Sequence, residues 1–132
     1  MKRLLLAVLF FVGAYTAQAQ EFQLSTHILD VSLGQPAPGV TIRLDKWDAA
    51  GKLWNKIAEK QTDANGRIKD LLPGTGNTGV YKLTFYTQPY FQSRKMNSFY
   101  PFIEVAFEIK DKQHYHVPIT LSAYGYSTYR GS

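Results

Sequence analysis

Apolar residues recur at every second position along most of this chain, and that period constrains the fold more than any other feature. Tyr81, Leu83 and Phe85 alternate with Lys82, Thr84 and Tyr86. Ile103, Val105, Phe107 and Ile109 alternate with Phe102, Glu104, Ala106 and Glu108. A strand sends successive side chains to opposite faces, so such runs are half-buried strands. The same pattern puts Phe22, Leu24 and Ile28 opposite Gln23, Ser25 and His27, and Val40, Ile42 and Leu44 opposite Thr41, Arg43 and Asp45. Tyr115, Val117, Ile119 and Leu121 stand opposite His114, His116, Pro118 and Thr120. A further strand is expected within Leu53 to Thr62, and a last one over roughly Tyr124 to Arg130. Turn residues punctuate the runs at Pro36 to Gly39, Asp48 to Gly51, Asp63 to Gly66 and Pro73-Gly74. Asp111-Lys112 joins two strong runs as a hairpin would. Only Gln88 to Met96 has room for a short helix. Short strands at this spacing predict an all-β sandwich of one domain. Pro118, with no N–H for a ladder, predicts an edge or a bulge in its strand.

The start of the chain follows another logic. Met1-Lys2-Arg3 is a positive segment, Leu4 to Val12 is apolar, and Ala17-Gln18-Ala19 has the small-x-small form of a cleavage site. Residues 1–19 therefore read as a signal peptide cut before Gln20, leaving a domain over residues 20–132. The apolar run is shorter than the roughly 20 residues of a spanning helix, so an uncleaved anchor is the weaker reading. A periplasmic location is expected, with secretion beyond the cell as the alternative. No cysteine is present, which excludes thiol nucleophiles, thiolate metal sites and disulfides. The formal charge of +5 is scattered over residues such as Lys46, Lys52, Lys56, Lys60 and Lys69. Scattered charge is a solvated surface rather than a nucleic-acid footprint, though a mild positive field attracts small anions.

All three histidines fall on outward strand faces: His27 opposite Leu24 and Ile28, His114 and His116 opposite Tyr115 and Val117. They project into solvent, an interface or a cleft. His114 by itself reads as an ordinary surface histidine. Two histidines two apart on a strand also suit zinc, with His27 as a third ligand, but no acidic partner is placed to orient them. Arg67 follows the Asp63-Ala64-Asn65-Gly66 turn without being needed for its geometry, and a guanidinium suits planar oxygen pairs. The chain closes on Tyr129-Arg130-Gly131-Ser132, a phenol, a guanidinium, a glycine and a hydroxyl beside a carboxylate. No serine-protease arrangement, nucleophile elbow or phosphate loop stands out. Outer faces rich in Tyr, Phe and Thr predict burial against another subunit.

Three segments together resemble the 5-hydroxyisourate hydrolases, the enzymatic branch of the transthyretin-like proteins. They are Leu24-Ser25-Thr26-His27-Ile28-Leu29-Asp30, Thr62-Asp63-Ala64-Asn65-Gly66-Arg67, and His114-Tyr115-His116-Val117-Pro118 continuing through Ser122 to Ser132. The resemblance implies a transthyretin-like (prealbumin-like), two-sheet, antiparallel, eight-stranded β-sandwich. It implies a homotetramer, a dimer of dimers with active sites at the dimer–dimer interface. The implied reaction opens 5-hydroxyisourate at a lactam C–N bond, giving 2-oxo-4-hydroxy-4-carboxy-5-ureidoimidazoline in urate breakdown, with no cofactor.

By match to these motifs, His27, Arg67, His116 and Ser132 are the implied catalytic residues. His27, Arg67, Tyr129, Arg130 and Gly131 are the implied substrate contacts. Neutral histidine takes a proton from water near pH 7, with His27 or His116 as base and the other orienting water or protonating the leaving nitrogen. Arg67 would hold oxopurine oxygens and the charge developing on the carbonyl. Tyr129 would close the pocket and Ser132 would tune a histidine or hold water. A non-enzymatic ligand carrier on the same fold and a generic sandwich module are the competing readings.

Overall fold

A computed structural model describes residues 19–132. All but the last residue of the expected signal peptide lies outside the described residues. In chain order the elements are β1 (Phe22–Asp30), β2 (Gln35–Pro36), β3 (Thr41–Asp48), β4 (Leu53–Gln61), β5 (Arg67–Pro73), β6 (Gly79–Phe85), α1 (Gln88–Gln92), β7 (Ile103–Ile109), β8 (Tyr115–His116), β9 (Ile119–Ser122) and β10 (Gly125–Thr128). They form two sheets. In one, β1 is central, flanked by β5 and by β8 and β9, with β10 beyond β9 and the short β2 against the end of β1. In the other the order is β4-β3-β6-β7.

The alternation sets the core. Leu24 and Ile28 from β1, Ile42 and Leu44 from β3, Leu83 and Phe85 from β6, and Ile103 and Ile109 from β7 are all buried between the sheets. Burying a side chain of this size contributes about 1.5–3 kcal/mol, so these strands are held by their inner faces. The helix is the single turn and a half that Gln88 to Met96 had room for. It starts with Pro89 in its first turn and buries Tyr90 and Phe91. Tyr81, Tyr90 and Tyr115 are buried, while Tyr124, Tyr126 and Tyr129 are exposed.

Four expectations need correction. The run from His114 to Leu121 is two strands, because Pro118 has no N–H to donate and breaks the ladder between β8 and β9. Counting β8 with β9 and setting aside the two-residue β2, the described residues form the eight strands expected. Asp111-Lys112 is not a hairpin turn. It carries the chain from β7 in one sheet to β8 in the other, where β8 and β9 pair with β1 in parallel, so that sheet is mixed. Gln23 is buried rather than outward, because a register irregularity between Phe22 and Leu24 turns it inward. Its amide is satisfied there: Nε2 donates to the Asp111 and Gln113 carbonyls, and Oε1 accepts from the Asn77 backbone and side-chain N–H groups. Those bonds tie the crossing loop to the start of β1.

β5 is the strand that the alternation does not show. Its buried residues, Ile68, Leu71 and Leu72, break the period of two because β1 and β5 slip in register along their length. The turn before it is tightly built. Asp63 Oδ1 accepts from the backbone N–H of Asn65 and of Arg67, at 2.8 and 3.0 Å. Gly66 holds φ +69°, and a Cβ there would lie 2.7 Å from the Ile28 carbonyl oxygen, so glycine is required.

Candidate active site

Strand pairing alone brings the sequence-predicted residues together. His27 on β1 is the register partner of Arg67 on β5. Ser25, two residues earlier on the same face, is the register partner of His116 on β8. Side chains of directly paired residues start with Cβ atoms about 4.5–5.5 Å apart, so His27, Arg67 and His116 share one outer patch of the first sheet. The chain then returns to this patch. Gly131 forms an isolated antiparallel bridge with His116, its N–H donating to the His116 carbonyl at 2.8 Å. A Cβ on residue 131 would lie 2.5 Å from His116 Cδ2, so the imidazole lies against bare glycine backbone. The result is a cavity of about 310 Å³ lined by Ser25, Thr26, Arg67, Lys69, His114, His116 and Ser132.

Electrostatics set the protonation states. His116 is pulled below the ordinary 6.5, first by burial, then by the positive field of Arg67 and by His27 and His114. His27 is also lowered, by burial and then by Arg67, with the Asn65 backbone and Asp63 opposing. Removing water and adding a nearby cation both penalise an imidazolium. Both rings are therefore neutral at pH 7 and hold a lone pair for a proton. Arg67 supplies fixed positive charge at the same place. A patch with two neutral imidazoles beside a guanidinium can deprotonate water and hold a developing oxyanion.

Hydrogen bonds reveal two residues that the sequence reading passed over. Ser25 Oγ lies 2.8 Å from both His114 Nε2 and His116 Nδ1. His114 Nδ1 lies 2.9 Å from the Phe22 carbonyl oxygen. His114 is thus part of the patch rather than a lone surface histidine. The available signal was the pair of i, i+2 spacings, Ser25 with His27 and His114 with His116, but nothing local says that the two strands are neighbours. The same bonds bear on the zinc arrangement. His114 has both ring nitrogens committed, and among the described residues no group of three or more His, Cys, Asp or Glu could hold a metal ion.

Tyr129 and Arg130 lie elsewhere in the chain. The Arg130 guanidinium stacks over the Tyr115 ring at 4.4 Å and reaches Gln113 Oε1 at 3.3 Å. With Val105, Phe107 and Tyr115 they line a second cavity of about 410 Å³, beside β7. Within the chain His27, Arg67, His116, Gly131 and Ser132 therefore lie together, while Tyr129 stands exposed next to a different depression.

Residues 24–131 match the model of the HIUase/transthyretin family. The chain belongs to that family. Within it, the 5-hydroxyisourate hydrolase of Salmonella typhi is 45% identical, with the whole of both chains covered. The 5-hydroxyisourate hydrolase of Mus musculus is 43% identical over 83% of this chain and 94% of its own. Among solved structures, the 5-hydroxyisourate hydrolase of Klebsiella pneumoniae superposes with a TM-score of 0.74 at 36% identity, over 85% of this chain and all of that one. Sea bream transthyretin in complex with thyroxine superposes with a TM-score of 0.77 at 30% identity, over 83% and 94% of the two chains. This family fold thus serves both a hydrolase and a thyroxine-binding protein, and the choice between them rests on side chains.

Proposed function

We propose that this member of the HIUase/transthyretin family is a 5-hydroxyisourate hydrolase. The observation that carries the reading is a cavity lined by His116, Arg67 and Ser132, with His27 paired to Arg67 beside it and both imidazoles held below their ordinary pKa. A hormone carrier has no need of depressed imidazoles beside a guanidinium. The similarity to named hydrolases over the full chain supports the same conclusion. A cavity of about 310 Å³ is at the small end of ligand pockets and suits a compact bicyclic oxopurine.

In the reaction, water adds to the lactam carbonyl carbon and the C–N bond breaks. The water's proton passes to a histidine, and the departing nitrogen takes a proton as it leaves. His27 and His116 divide these roles, Arg67 holds the oxopurine oxygens and the carbonyl's developing charge, and Ser132 holds water or a histidine. The product is 2-oxo-4-hydroxy-4-carboxy-5-ureidoimidazoline. No covalent intermediate is needed. We further propose a homotetramer, a dimer of dimers, in which a second protomer's Tyr129 closes the pocket. The exposed Tyr124, Tyr126 and Tyr129 support this. Export to the periplasm after loss of residues 1–19 is proposed from the leader alone.

The test is direct. Urate oxidase generates 5-hydroxyisourate in situ, and its absorbance decay is followed with and without the protein. Decay no faster than the spontaneous rate would refute the hydrolase reading. Light scattering coupled to size exclusion reads the tetramer. Mass spectrometry of the periplasmic fraction reads the leader's removal.

A further inference from the structure

Resting on the hydrolase reading, we infer that Ser25 is a positioning residue, linked to His114, that fixes the tautomer of His116 and so presents His116 Nε2 to water as the base.

The direction of the chain follows from donor and acceptor capacity. The Phe22 carbonyl oxygen can only accept, so the bond at 2.9 Å requires a proton on His114 Nδ1. With His114 neutral, its Nε2 is then a lone pair, and the contact at 2.8 Å must be donated by the Ser25 hydroxyl. A hydroxyl has one proton. Having given it to His114, Ser25 Oγ can only accept at its second contact, 2.8 Å from His116 Nδ1. His116 Nδ1 therefore carries the ring proton, and Nε2 carries the lone pair. One backbone carbonyl thus orients three side chains in series.

The remaining geometry leaves Nε2 available. Among the described residues the one buried side-chain N or O atom without a partner is Thr87 Oγ1. His116 Nε2 makes no hydrogen bond with another described side chain or backbone group, so it is open to the cavity that the ring lines. The ring packs at Cδ2 against the bare Gly131 backbone, where a Cβ would lie only 2.5 Å away, while the Ser25 contact holds its Nδ1 side. Among the described residues no side-chain relay of this kind reaches His27, whose neighbours are the Asn65 backbone and its register partner Arg67. The arrangement separates the roles that chemistry alone left interchangeable. His116 takes the proton from water, and His27 is left to the leaving nitrogen.

Two measurements test this independently. In protein labelled with ¹⁵N-histidine, at a pH where the rings are neutral, two-bond correlations report which nitrogen of His116 is protonated. The expected result is Nδ1–H in the native protein, and a mixture of tautomers in Ser25→Ala and in His114→Phe. In the decay assay, Ser25→Ala should lose roughly 10- to 100-fold in kcat with little change in KM, no more than the bottom of the roughly 100- to 10,000-fold that a positioned base contributes, because the base itself remains. Ser25→Thr, which keeps the hydroxyl, should recover most of it. An Nε2–H tautomer in the native protein overturns the inference, as does a Ser25→Ala variant with native kcat. Failure of the native protein to hydrolyse 5-hydroxyisourate would instead refute the functional reading, while the spectra would still decide the tautomer. If Ser25→Ala does not fold, the native spectrum and the Thr variant remain decisive.

Discussion

Adding one methyl group at Gly131 should disable the site while leaving the sandwich intact. The Gly131 backbone is not in the left-handed region, so alanine costs nothing in local conformation. Its Cβ, however, would stand 2.5 Å from His116 Cδ2, 3.2 Å from Cγ and 3.3 Å from Cβ. Non-bonded carbons prefer about 3.5–4.0 Å, so either the imidazole or the segment carrying Ser132 must move by about 1 Å. Movement of the ring breaks its 2.8 Å contact with Ser25, and movement of the segment breaks the 2.8 Å bond from Gly131 N–H to the His116 carbonyl. A misplacement of about 1 Å costs on the order of 100-fold in rate, which is about 2.7 kcal/mol of barrier. Stability should barely change, since residue 131 follows the last strand and the described core contains none of its atoms. Initial rates of 5-hydroxyisourate decay, normalised to folded protein by circular dichroism, give the measurement. Gly131→Ala with native turnover would refute the claim that the imidazole is held by contact with bare backbone. A rate loss matched by loss of folded signal would refute the claim that the effect is local.

Other consequences follow from the same geometry. The acid limb of kcat/KM should lie below the ordinary histidine value of 6.5, because burial and then Arg67 lower His116 and His27; a limb above 6.5 would contradict both causes. The sign also applies to stability. The unfolded chain takes up histidine protons before the folded one does, so the folded state loses stability as pH falls below about 6.5 toward the lowered values, measurable as a falling urea midpoint. Arg67→Ala should cut turnover and also shift that acid limb upward, since one cation lowers both rings; an unmoved limb would mean the guanidinium does not act on them. Tyr90 donates to the buried Asp30 carboxylate at 2.7 Å, and burial with this bond pushes its phenol up to about 12. Tyr90→Phe should cost about 1.5–3 kcal/mol in denaturant unfolding with turnover unchanged, because the pair lies outside the histidine cavity.

Features that depend on near neighbours are legible in the residues alone. Alternation along β1, β3, β6 and β7 marked which residues would be buried, because side-chain direction in a strand is set by the chain's own geometry. The Asp63 to Gly66 turn was legible for a similar reason, since its hydrogen bonds close within four residues. The motifs also named His27, Arg67 and His116. That these residues meet follows from the pairing of β1 with β5 and β8. β5 is not legible in the alternation because its slipped register against β1 scrambles the burial pattern. The segment after Asp111 passed for a hairpin because nothing local tells a turn from a crossing between sheets. Ser25 became the hub of the site only when β8 was laid parallel to β1, joining residues 89 and 91 positions apart. The physical reason is the same each time. Periodicity is written in the backbone of one strand, whereas a strand's partner is chosen by whichever pairing buries the apolar faces of the whole chain together.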